Sequence, residues 1–203
     1  PTATGALFDI FNFINDPVNK DFCNLLFNKV TLYFLPMVNP DGAEKFKRRN
    51  FYDIDLNRDA VRQQTPEAIV LKDVFDSLKA DFGFNLHDQG HRYSVGNSFR
   101  TASISFLAPA YNYQKDFNNV RTNAVKLIGN MFNALSQFIP GHIARYDDEY
   151  EPRAFGDNFQ KWGTSTILIE SGGWKDDPEK QFIRKLNFIA LLSAFKSIAE
   201  ESY

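Results

Sequence analysis

Apolar residues follow two rhythms along this 203-residue chain, and those rhythms predict its elements. Leu7, Ile10, Phe11 and Ile14 recur at helical spacing ahead of an Asp16-Pro17 stop, which predicts an amphipathic helix over residues 1 to 15. The run Val30-Thr31-Leu32-Tyr33-Phe34-Leu35 reads as a buried strand, ended by Pro36 and the turn signal Asn39-Pro40-Asp41-Gly42. Residues 43 to 65 are polar and lack apolar periodicity, so a long loop is predicted there. A loop of that length inside a compact domain is more often functional than idle. Pro66 and Glu67, followed by Ile69, Val70, Val74 and Leu78, predict a helix over residues 66 to 79.

Further strands are expected over residues 82 to 86, 101 to 107 and 164 to 169, with a short edge strand over 143 to 146. Between them, Val120, Ala124, Leu127, Ile128, Met131 and Leu135 share one face of a long helix over 117 to 138, which Pro140-Gly141 terminates. A last helix is expected over 179 to 199. Strands alternating with helices indicate an α/β sandwich around a largely parallel or mixed sheet.

Composition narrows the picture. With 43% hydrophobic and 15% aromatic residues the chain has enough apolar mass for a single domain over residues 1 to 203. A net charge of -2 provides no basic field for nucleic acid or an anionic membrane surface. No run reaches the roughly 20 apolar residues of a membrane span. The one cysteine, Cys23, sits in an apolar stretch and reads as a buried small hydrophobe, so compartment is not legible from disulfide usage. The start Pro1-Thr2-Ala3-Thr4 resembles no signal peptide and has no initiator methionine, which suggests a processed or cut piece.

Function in open α/β sheets concentrates beyond the carboxyl ends of strands, and three polar clusters fall there. The first is Asn39-Pro40-Asp41-Gly42 with Arg48-Arg49-Asn50 and Asp55-Leu56-Asn57-Arg58. The second is His87-Asp88-Gln89, and the third is Glu170-Ser171-Gly172-Gly173. Singly, each is ambiguous. His87 is either a satisfied structural histidine or a ligand, and Glu170 is either a salt bridge capping the sheet or a candidate general base. The arginines are either solvated charges or, with the Asn57 amide beside Arg58, a fork suited to gripping a carboxylate.

In this order and spacing, the three clusters resemble the signature of the zinc carboxypeptidase family, over nearly the whole chain. The resemblance implies a three-layer α/β/α sandwich with a central mixed, mostly parallel sheet, of the phosphorylase/hydrolase-like carboxypeptidase type, truncated at its amino end. It implies His87 as a zinc ligand, and Glu170 as the carboxylate that activates zinc-bound water. Arg48 matches the arginine that stabilises the developing oxyanion, while Asn57 and Arg58 match the pair anchoring a terminal carboxylate. Asp55 matches the acid that orients a ligating histidine. Tyr150 matches the tyrosine that caps substrate, a role for which Tyr146 also qualifies.

Two departures bear on this. The family's first two zinc ligands come from a His-x-x-Glu motif just before a helix like residues 1 to 15, and this chain starts there. Neither His91 nor His142 restores that motif, so zinc is expected to be absent or weakly bound in this chain, with one ion in a full-length protein. In many members the catalytic glutamate lies at the place held here by Leu168, but strand side chains alternate, so Leu168 and Glu170 share a face.

The expected activity is hydrolysis of a carboxy-terminal peptide bond by a metallocarboxypeptidase, on a peptide or acyl-amino-acid substrate with a free carboxylate. The alternatives are a zinc-dependent deacylase of N-acyl amino acids, and an inactive binding domain if the chain is naturally complete. A truncated sheet edge is also expected to favour oligomer formation.

Overall fold

A computed structural model describes residues 2–203. Helix α1 (Thr2–Asn15) is followed by α2 (Lys20–Phe27), a short α3 (Pro40–Glu44) and α4 (Pro66–Leu78). Strands β1 (Phe82–Asp88) and β2 (Ile104–Leu107) come next, then α5 (Asn119–Ser136) and β3 (Ile143–Arg145). Helix α6 (Phe155–Trp162), β4 (Ser165–Ser171) and α7 (Gln181–Glu200) complete the chain. The described strands form one mixed sheet in the order β1-β4-β2-β3. Neighbours β1 and β4 are parallel, β4 and β2 antiparallel, and β2 and β3 parallel.

The sheet lies between two helical layers, as the α/β/α reading predicts. On one face Ile104, Phe106, Ile167 and Ile169 pack against Leu127, Met131, Leu186 and Ala190 of α5 and α7, and α7 also packs on α1. Burying each of the β4 isoleucines contributes roughly 2 kcal/mol. On the other face a smaller cluster joins Ala68 of α4 to Phe155 of α6, with Phe159 and Trp162 packed against it.

Local chemistry sets the helix ends. The Thr65 hydroxyl accepts from the Ala68 amide to cap α4, and Asn118 accepts from the Arg121 amide to cap α5. Gly163, at φ 111°, takes the left-handed conformation that ends α6. Helices α2 and α6 were not predicted, and the short α3 stands where a turn and the start of a loop were expected. Phe155, Phe159 and Trp162 do carry helical spacing, but over only eight residues, too few for periodicity to stand out. Cys23 is half-buried, with its thiol 3.7 Å from the Ile14 carbonyl.

The expected strand at Val30 to Leu35 needs correction. Residues 30–38 alternate strictly between half-buried and exposed positions, as a strand would, with Val30, Leu32 and Phe34 packed on the core. Their amides and carbonyls nevertheless make no sheet pairing among the described residues. The open edge of β1 lies across a cavity of about 1320 Å³ lined by both segments. Asp81 accepts from Ser165, and Gln89 donates to Ser171, so the odd-numbered residues of β1 face β4. The backbone groups of Phe82, Phe84, Leu86 and Asp88 therefore face the cavity. A ladder needs a neighbour about 4.8 Å away, and the cavity keeps these two segments further apart than that.

Candidate functional site

His87 on β1 is the register partner of Glu170 on β4, which in turn pairs with Ser105 on β2. Side chains of in-register neighbours point the same way, so these three share the face opposite the main core. Gln89, two residues beyond His87, lies on that face as well. It accepts a bond from the Ser105 hydroxyl and donates one to the Ala102 carbonyl.

The loop of residues 45–59 reaches this face. Asn39 builds its base: the side-chain oxygen caps the Gly42 amide, while the amide nitrogen donates to the Arg48 carbonyl. Position 42 requires glycine, since a Cβ there would sit 2.6 Å from the Lys47 carbonyl oxygen. Asn50 accepts from the Tyr52 and Ile54 amides and so closes the turn after Arg48. Asp55 then takes the Arg48 Nε at 2.8 Å on one oxygen and the Asn57 amide on the other. Asp55 is thereby committed to the loop, not hydrogen-bonded to His87, although its charge acts on that imidazole.

The electrostatics follow from burial. Glu170 is 6% exposed and has no hydrogen-bond partner among the described residues, so desolvation pushes its carboxyl up to about 7. The Asp88 charge adds to the rise, and Arg48 and Lys180 oppose it. Desolvation also lowers the His87 imidazole, helped by Arg48 and Arg58, so His87 is neutral at pH 7. Arg48 acts on both groups, and Arg48, Asp55, Asn57 and His87 line the same cavity.

Asn57 and Arg58 sit in a short turn of 3-10 helix over Leu56–Arg58. The Asn57 side-chain oxygen accepts from the Phe155 amide at 3.0 Å, which turns its NH2 outward as a free donor. The Tyr150 ring meets Tyr113 edge-on at 5.0 Å, and its hydroxyl is raised by burial and then by Asp157. Tyr146 is the tyrosine in the field of Glu170, Tyr93 and Arg48, after burial the causes acting on its hydroxyl. Sequence reasoning did not single out Tyr93, Lys180 or Glu151, since each lies in a loop or at a helix start with no motif around it.

Catalytic zinc needs three converging protein ligands. Among the described residues no group of three or more His, Cys, Asp or Glu side chains is placed to hold a metal ion. His87 is the histidine in register with Glu170, and one imidazole beside one carboxylate falls short of three ligands, so these residues do not by themselves fit a zinc ion.

A solved structure with a similar fold is the protein named "Putative carboxypeptidase A" from Shewanella denitrificans OS-217. It superposes with a TM-score of 0.65 over 98% of this chain and 53% of that one, at 15% sequence identity. The fold is carboxypeptidase-like. This chain spans about half the length of that neighbour. No family model and no curated protein matches the sequence. The loop of residues 45–59 and the end of β1 line one cavity, and β4 holds Glu170 in register beside His87. Among the described residues no helix is long and apolar enough to cross a membrane.

Proposed function

We propose that this chain carries part of the active site of a carboxypeptidase-type hydrolase, acting on the last bond of a peptide that ends in a free carboxylate. The reading rests on the register pairing of His87 with Glu170 at the sheet rim, under a loop that brings Arg48 and Arg58 near the same imidazole. Glu170 is the base in this reading. A carboxyl poised near neutrality accepts and returns a proton at pH 7, which an ordinary carboxylate does poorly. Arg48 faces the charge that develops on the carbonyl oxygen of the scissile bond. The outward NH2 of Asn57 and the guanidinium of Arg58 anchor the ligand's carboxylate.

The zinc such enzymes use would draw one ligand, the neutral His87 imidazole, from this chain. Equilibrium dialysis against zinc is expected to give weak, substoichiometric retention that His87→Ala lowers further, because one imidazole supplies a small part of the coordination free energy. A tight one-to-one complex would overturn that expectation.

The anchor is tested by calorimetry with hippuryl-phenylalanine and its amide. Arg58→Ala is expected to weaken binding of the free acid by about 10- to 150-fold, since a charge-assisted bond contributes about 1.5–3 kcal/mol. The amide should change little. Equal losses for both ligands, or no loss for either, would remove the carboxypeptidase reading.

A further inference from the structure

Arg58 is not free to meet a ligand without competition. Its Nη1 donates to the Asn57 carbonyl at 2.7 Å, and its Nε lies 3.0 Å from an oxygen of Glu151. In a guanidinium, Nε and Nη2 form the side-on fork that best matches a carboxylate. Glu151 covers one prong of that fork.

Glu151 is itself held from the other side. Arg153 grips it through its own side-on fork, with Nε and Nη2 each 2.9 Å from a different carboxylate oxygen, and the Arg153 amide adds a third bond at 3.2 Å. Arg58 meets the same carboxylate at one ion-pair contact and no aligned hydrogen bond. The Glu151 carboxyl is accordingly held below its ordinary value, by its Arg153 bond first and by the Arg58 charge to a lesser degree. Glu151 can release Arg58 and keep every hydrogen bond it makes to Arg153.

We propose that Glu151 is an internal competitor for Arg58, covering the Nε edge of that guanidinium in the free chain and remaining on Arg153 when a ligand's carboxylate takes its place. This rests on the reading of Arg58 as the carboxylate anchor. A ligand ending in an amide has no charge with which to displace Glu151, and it finds Arg58 already neutralised. Glu151 thus sets how strongly the site discriminates a free carboxylate from a blocked one.

Two substitutions separate this role from simple support of Arg58, because they are expected to act in opposite directions. In calorimetric titrations of the whole chain, Glu151→Gln should tighten binding of hippuryl-phenylalanine by about 3- to 5-fold, the size expected for a partly exposed charge pair. Arg153→Ala frees Glu151 to stay on Arg58 and should weaken the same ligand by a similar factor. Binding of hippuryl-phenylalaninamide should be unmoved in both. Weaker acid binding in both variants, or unchanged binding in Glu151→Gln, would overturn the proposal. The anchor reading would survive that result if Arg58→Ala still abolished the preference for the acid. If the unaltered chain showed no preference for the acid over its amide, the anchor and its competitor would both fall.

Discussion

Replacing Glu170 by glutamine is expected to stabilise the protein above pH 7 by roughly 3 kcal/mol and to change nothing near pH 4. The carboxyl is buried with no hydrogen-bond partner among the described residues, and its folded value of about 7 lies above an ordinary value of 4.5. Below about pH 4.5 the group is protonated in both folded and unfolded chains and contributes no difference. As pH rises from there to about 7, the unfolded chain gives up its proton while the folded chain retains it, so the folded state loses ground progressively. Above about 7 the full cost of holding an unpaired buried carboxylate is present. Glutamine has nearly the same shape and no charge, so the variant escapes this cost. Urea unfolding of both proteins from pH 4 to 8 measures the difference directly. His87 is shifted in the opposite sense and loses stability toward low pH, but it is present in both proteins and cancels in the difference. A difference that stayed flat with pH would mean that Glu170 is hydrated or paired in solution, and would withdraw it as a base tuned to neutrality.

Arg121→Met is expected to cost about 3–5 kcal/mol, the largest effect of any single change outside the apolar core. Arg121 is 1% exposed on α5, and its guanidinium donates to the carbonyls of Ala108, Lys115 and Asp116 and to the Asp148 carboxylate. The Phe117 ring covers it at 4.4 Å. This one side chain therefore ties the loop after β2 to the loop after β3, which carries Tyr146, Tyr150 and Glu151. Methionine fills similar space but leaves three carbonyls without a donor, and Asp148 retains only Lys115 and Arg145. Thermal unfolding should move down by about 10 °C, given roughly 2–4 °C per kcal/mol at this chain length. A shift of under about 2 °C would show that water reaches these groups and that the clamp is not rigid.

Much of the candidate site was legible because its residues occupy strand ends and a loop with strong turn chemistry. His87 and Glu170 end apolar runs, so their place at the sheet rim follows from the strands themselves, and Asn39, Gly42 and Asn50 announce the turns that present Arg48. The distinction between Tyr146 and Tyr150 was not legible. Both lie in one polar stretch, and which of them nears Glu170 depends on where β3 ends and how the Asp148 cluster folds the chain behind it. The pairing of Glu151 with Arg58 joins residues far apart in sequence, and nothing local to either indicates it.

Helical and alternating periodicity, caps and breakers determined α1, α4, α5, α7 and the buried run of β4, because each of those signals acts within a few residues of its own position. Tertiary structure alone decided which of the extended segments became paired strands. Residues 30–38 have the alternation of a strand and pack one side on the core, yet they remain unpaired across a cavity from β1. A strand's side-chain rhythm is written in its own sequence, whereas its hydrogen bonds belong to whichever chain lies beside it.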